Sequence, residues 1–151
     1  MTPHAVAHTR PGRADRERGS ATLELAILTP ALLLLLGLVI LAGRVQVAAG
    51  AVEHAAATAA REASLARTAP AASSAAATAG HDALQGQDLR CATTGVTVDT
   101  SGFAVRLGAP ATVSATVTCT VTFADLAVPG LPGQRTMTAT ATSSLDRFRT
   151  R

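Results

Sequence analysis

The sequence predicts an α+β chain: a long N-terminal apolar helix, a short second helix, and then a small antiparallel sheet of about four strands. Three observations carry that expectation. An apolar stretch runs from Leu25 to Ala42 with no charge in it. Beyond it, alanine and valine recur at three- and four-residue steps as far as Ala66, the period of a helix face. From Val96 onward the period shortens to two, with threonine and valine alternating as they do in half-buried strands.

With 151 residues there is room for one small domain once a membrane-length segment is set aside. Hydrophobic residues make up 48% of the chain but aromatics only 2%, so any core outside the apolar stretch is built from Val, Ala and Leu. Such a core is thin and leans on an anchor, a crosslink or neighbours.

The first element, residues 1–19, is a basic leader. Pro3, Pro11 and Gly12 interrupt it, Arg10, Arg13, Arg16 and Arg18 outweigh Asp15 and Glu17, and no apolar period appears, which predicts no regular structure through residue 18. Residues 20–43 follow as a transmembrane helix. The stretch from Leu23 to Ala42 holds ten leucines, two isoleucines and one valine. On an insertion scale these favour the bilayer by about 4–8 kcal/mol, against roughly 3 kcal/mol or less for the terminal Glu24. At about 1.5 Å per residue the segment spans roughly one bilayer core. Pro30 is tolerable inside a membrane helix, with Thr29 or a neighbouring helix available to the carbonyl it frees.

Orientation follows from the arginines. Four precede the segment closely and only Arg44 follows at short range, which places the N-terminus in the cytoplasm and the remainder outside the cytoplasmic membrane. The rival is a secretory signal peptide cut near Val47-Ala48-Ala49, although its apolar region normally stops at about 15 residues.

Residues 44–67 extend the helix. Val45, Ala48, Val52, Ala55, Ala59, Ala63 and Ala66 make its apolar stripe, and Gly43 and Gly50 are its expected weak points. Residues 68–88 are an alanine-rich helix or a linker; as a helix it takes Thr68 as cap and Pro70 in its first turn, with a turn at Gly86 to Asp88.

Residues 89–151 form a β domain with a short tail. Thr112 to Phe123 alternates without a fault, Val113, Ala115, Val117, Cys119, Val121 and Phe123 on one face and threonines with Ser114 on the other. Arg135 to Ser144 repeats the pattern, with the loop Pro129-Gly130-Leu131-Pro132-Gly133 between them. Val96 to Asp99 and Phe103 to Leu107 flank Thr100-Ser101-Gly102 and read as a hairpin. Cys119 points to the apolar face and Cys91 stands just before the first strand. Outside the cytoplasm a disulfide between them is favoured, closing a loop worth roughly 3–4 kcal/mol; the alternative is two unpaired small apolar residues.

No enzyme is expected. His4 and His8 stand in the leader, His54 and His81 are isolated, and no His-x-x-x-His, Cys-x-x-Cys, Gly-x-Ser-x-Gly or phosphate-cradling glycine loop occurs. Catalytic residues, metal ligands and cofactors are therefore not predicted. Neither is nucleic-acid binding: the charge of +3 owes much to the leader, and no aromatic platforms interleave the arginines.

Glu24 is the unusual residue. A carboxylate at the head of a leucine run is costly unless paired, although at this depth it could also reach the headgroups. Its company is specific: a basic leader, then Gly19, then the carboxylate at the fifth residue after that glycine. Arg18-Gly19-Ser20-Ala21-Thr22-Leu23-Glu24-Leu25, continued through Pro30 to Val52-Glu53 and Arg61-Glu62, resembles the N-terminal segment of the TadE/TadG-like family, pilin-related proteins of the tight-adherence (Flp) pilus machinery. The resemblance covers about residues 18–62, and Leu25 stands where many Flp-type signals carry an aromatic.

The resemblance implies a pilin-like fold and a signal cut by a prepilin peptidase between Gly19 and Ser20. It implies that Glu24 serves assembly, set against the new N-terminal amine of a neighbouring subunit. Pilin or other minor pseudopilin subunits are then the expected partners, together with the membrane itself. The reading it competes with is a secreted or surface binding module released by signal peptidase.

Overall fold

The computed structural model of the chain describes residues 13–87, 89–122 and 133–148, with side chains from residue 24 onward. Its elements run in the order helix α1 (Arg13–Leu65), helix α2 (Ala69–Gly86), strand β1 (Thr93–Asp99), a single 3-10 turn (Ser101–Ala104), strand β2 (Thr112–Thr122) and strand β3 (Gln134–Ser144). The fold is α+β, as the two periods predict, with three strands in place of about four. The chain divides into two compact units, Met1–Ile40 and Leu41–Arg151.

In the first unit the described residues belong to α1. Every residue from 24 to 40 is exposed, and Leu34 is 77% accessible. A leucine surface of this kind is costly in water, and the stretch is the one helix among the described residues long and apolar enough to cross a membrane. The described part of α1 opens at Arg13, inside the leader that was expected to lack regular structure. Pro30 stays within the helix. The Thr29 hydroxyl donates to the Leu25 carbonyl at 2.6 Å, which is not the Ala26 carbonyl that Pro30 leaves without its helical donor.

The second unit packs the rest of α1 and all of α2 on one face of the sheet. Along α1, Ala48, Val52, Ala55, Ala59 and Ala63 are buried as the stripe predicts, and Ala51, Ala56 and Ala60 widen it. The helix runs through Gly43 and Gly50 without interruption. Residues 68–88 are helical as far as Gly86: the Thr68 hydroxyl accepts from the Ala71 N–H, Pro70 sits in the first turn, and Ala72, Ala76, Gly80 and Leu84 form a straight buried row at four-residue spacing. Small residues in both rows let the backbones approach the sheet closely; the two hydrogens of Gly80 face Val96, Ala59 and Val117.

The sheet order is β1-β2-β3, antiparallel throughout. Register places Val96 opposite Val117 and Val98 opposite Ala115 on one side, and Met137, Ala139 and Ala141 opposite Cys119, Val117 and Ala115 on the other. These side chains make the apolar face, on which Val113, Val117 and Val121 are fully buried. The opposite face is a threonine ladder. Thr116 and Thr140 share a hydrogen bond at 2.8 Å, Thr120 and Thr136 at 3.0 Å, and Thr118 and Thr138 at 3.4 Å. Ser143 on β3 donates to Ser64 on α1 at 3.0 Å, tying the sheet to the helix layer.

The expected hairpin partner at Phe103–Leu107 is the element that differs. β1 is longer than Val96–Asp99, starting at Thr93, and pairs directly with β2 from Thr93 opposite Thr120 to Asp99 opposite Ser114. No neighbouring position is left for a strand between them. After Asp99 the chain turns instead, because the Asp99 carboxylate accepts the Ser101 N–H at 2.9 Å and the Thr100 carbonyl accepts the Phe103 N–H at 3.0 Å. Gly102 is buried against the Thr112 carbonyl, where no side chain fits. Gly108, at φ +86°, takes the left-handed conformation and donates its N–H to the Arg147 carbonyl. Of the expected loop at Pro129–Gly133, only Gly133 falls among the described residues, and Phe123 lies outside them as well.

Candidate functional site

Gly19 and Ser20 lie within α1, six and seven residues after its start, on continuous helical backbone. Glu24 follows one helical turn later and is exposed, at the point where the leucine surface begins. The helix thus carries a basic stretch, the Gly19–Ser20 bond, a single carboxylate and the apolar run in that order along one rod. Glycine is the weakest helix former after proline, so Gly19 is where the backbone opens at least cost. A carboxylate at the edge of an apolar span is accessible to headgroups, and equally to a cation on a neighbouring helix.

The two cysteines come together. Cys91 and Cys119 form a disulfide with a Cα–Cα distance of 5.4 Å, joining residues 28 apart in sequence. Cys119 is fully buried on the apolar face of β2 and Cys91 lies in the segment between α2 and β1. The bridge fastens the exit of α2 to the central strand, beside the Ala92 N–H, which donates to the Thr120 carbonyl at 2.7 Å.

Within the second unit an open groove of about 700 Å³ lies between α1 and α2. Its floor is Ala75, Ala79 and Ala83, and its rim carries His54, Thr58, Glu62, Ser74, Thr78 and Asp82. Residue patterning did not single out this groove, because it exists only where the two helices lie side by side. The helix period places His54, Thr58 and Glu62 on one face of α1 at four-residue spacing, and that row was the available signal. Among the described residues no group of three or more His, Cys, Asp or Glu side chains is placed to hold a metal ion.

At the end of β1, Asp99 is exposed. Its carboxyl is held below the usual carboxylate range, first by the Ser101 backbone N–H and then by the Ser101 hydroxyl, with a small opposing effect of burial.

No curated protein and no solved structure matches the chain significantly. A family model described as TadE-like protein matches residues 19–61, beginning at the glycine before Ser20 and ending two residues before the last buried alanine of α1. The matched stretch contains Glu24, the exposed leucine span and most of the buried stripe. Residues 19–61 of this chain are therefore similar to TadE-like proteins.

Proposed function

We propose that the chain is a membrane-anchored, TadE-like minor pseudopilin that takes part in assembling an Flp-type pilus or a related secretion apparatus. The observation that carries this reading is the family match over residues 19–61, with Glu24 at the fifth position after Gly19 and at the mouth of an exposed leucine helix. The arginine bias before the span supports a cytoplasmic N-terminus and an extracytoplasmic unit from residue 44 onward. The Cys91–Cys119 disulfide agrees with an oxidising compartment for that unit. The role is structural, not catalytic.

On this reading a prepilin peptidase hydrolyses the Gly19–Ser20 peptide bond on the cytoplasmic side. The helix must open locally for that, and glycine lowers the cost of doing so. The product begins with the Ser20 ammonium. Glu24 of one subunit then faces the ammonium of its neighbour. In a low-dielectric bundle each charge alone is strongly unfavourable, so the pair selects the assembled arrangement over isolated helices.

Replacing Glu24 by Ala tests the reading. Membrane insertion of Glu24→Ala is expected to match the parent chain while pilus formation falls clearly, measured by membrane fractionation and by surface pilin. Unchanged piliation removes the pairing role. Against release by signal peptidase near Ala49 stands the packing of Leu41, Val45 and Ala48 on the core of the second unit, which such a cut would strip away.

A further inference from the structure

The groove between α1 and α2 and the C-terminal tail are complementary. The groove rim presents Glu62 and Asp82 with His54, no arginine lines it among the described residues, and its floor is alanine. Arg61 is exposed on the same helix but is not among the groove-lining residues. The tail reads Asp146-Arg147-Phe148-Arg149-Thr150-Arg151, three arginines around one phenylalanine. Asp146 offsets one of the three, so the segment keeps an excess of two positive charges, and its carboxylate accepts the Phe148 N–H at 2.9 Å. That bond and the one from Gly108 to the Arg147 carbonyl hold the base of the tail in a fixed turn.

The turn presents Phe148 outward at 86% exposure, in a chain that has only three phenylalanines and no Trp or Tyr. A large apolar ring held in place by local hydrogen bonds, with cations on both sides, has the form of an interface anchor. Its match is a cavity with a small apolar floor and an acidic rim.

We propose that the groove between α1 and α2 receives the Arg147–Arg151 tail of a second copy of this chain. Phe148 sits over Ala75 and Ala79, and the arginines face Glu62 and Asp82. The contact is heterologous: each copy that offers its tail keeps its own groove open, so copies join in series or close into a ring. This goes beyond the role proposed for Glu24 and stands whether or not the leader is cut.

The test uses the full-length chain in membranes, with a benzophenone amino acid in place of Phe148 and two differently tagged copies expressed together. Illumination is expected to give a dimer carrying both tags, with the adduct mapping to residues 54–62 or 74–83. Reversing the rim with Glu62→Arg and Asp82→Arg in the acceptor copy is expected to lower the yield roughly tenfold, since like charges then face each other. Arg147→Glu with Arg149→Glu in the probe-bearing copy is expected to restore it, which also shows that the reversed rim still folds. No dimer, an adduct confined to one chain, an adduct on lipid or on another protein, or a yield indifferent to the reversal would each overturn the proposal.

Discussion

Glu24 and Asp99 are both exposed carboxylates, and their surroundings give them different work. Glu24 stands at the border of a leucine surface, within reach of headgroups and of a neighbouring helix. Asp99 has its partner in its own turn. Because the Ser101 N–H and hydroxyl favour the ionised carboxylate, its folded pKa lies below the unfolded one, so the stabilisation is present above the ordinary carboxylate pKa and is lost as pH falls through the folded value. An NMR titration of the solubilised chain is expected to place the Asp99 midpoint below that of an unstructured aspartate. A midpoint at or above that value would contradict the turn. Glycines divide in the same way. At Gly102 an added methyl group meets the Thr112 carbonyl, whereas at Gly95 the nearest atom, Thr118 Cβ, is 4.0 Å away. Gly102→Ala is expected to cost about 2 kcal/mol or more through overpacking. Gly95→Ala is expected to be neutral or to stabilise by roughly 0.5–1 kcal/mol through reduced chain entropy. Thermal unfolding of the two variants side by side separates the cases, and equal effects would contradict the packing at Gly102.

At the scale of elements, patterns that repeat were legible and contacts that close a turn were not. Thr112 to Thr122 alternates so regularly that its two faces could be assigned residue by residue, and the burial of Val113, Ala115, Val117, Cys119 and Val121 agrees. The stripe from Ala48 to Ala63 was legible for the same reason, and the Thr68 cap with Pro70 identified the start of α2. Phe103–Leu107 has the composition of a strand, but its fate is decided by the side chain of Asp99 and by the space at Gly102, neither of which carries a periodic signal. The partner of Cys119 could be named only because two cysteines allow one pairing. That bridge is expected to matter more here than in an aromatic-rich domain, since alanine and valine contribute little burial each. Replacing both cysteines with serine is expected to lower the stability of the second unit by roughly 3–4 kcal/mol. Denaturant unfolding with and without reductant measures it, and coincident curves would contradict a structural role for the bridge.

For the whole molecule, the two ends of α1 differ in what surrounds them. The first carries the apolar span, and the second gives the unit from Leu41 onward seven of its seventeen buried core residues, six of them alanine. Gly19 to Leu25 was singled out because a carboxylate at the head of a leucine run has few bland explanations and its distance from a glycine is specific, and the family match begins at that glycine. The groove between α1 and α2 was not legible, because it arises from two helices meeting.

The central claim is that Gly19–Leu25 is a processing and assembly signal. Its most direct test is the mass of the chain extracted from membranes of cells with an active prepilin peptidase. A mature chain that begins at Ser20 is expected. An N-terminus that retains Gly19 and the arginines before it would contradict that claim.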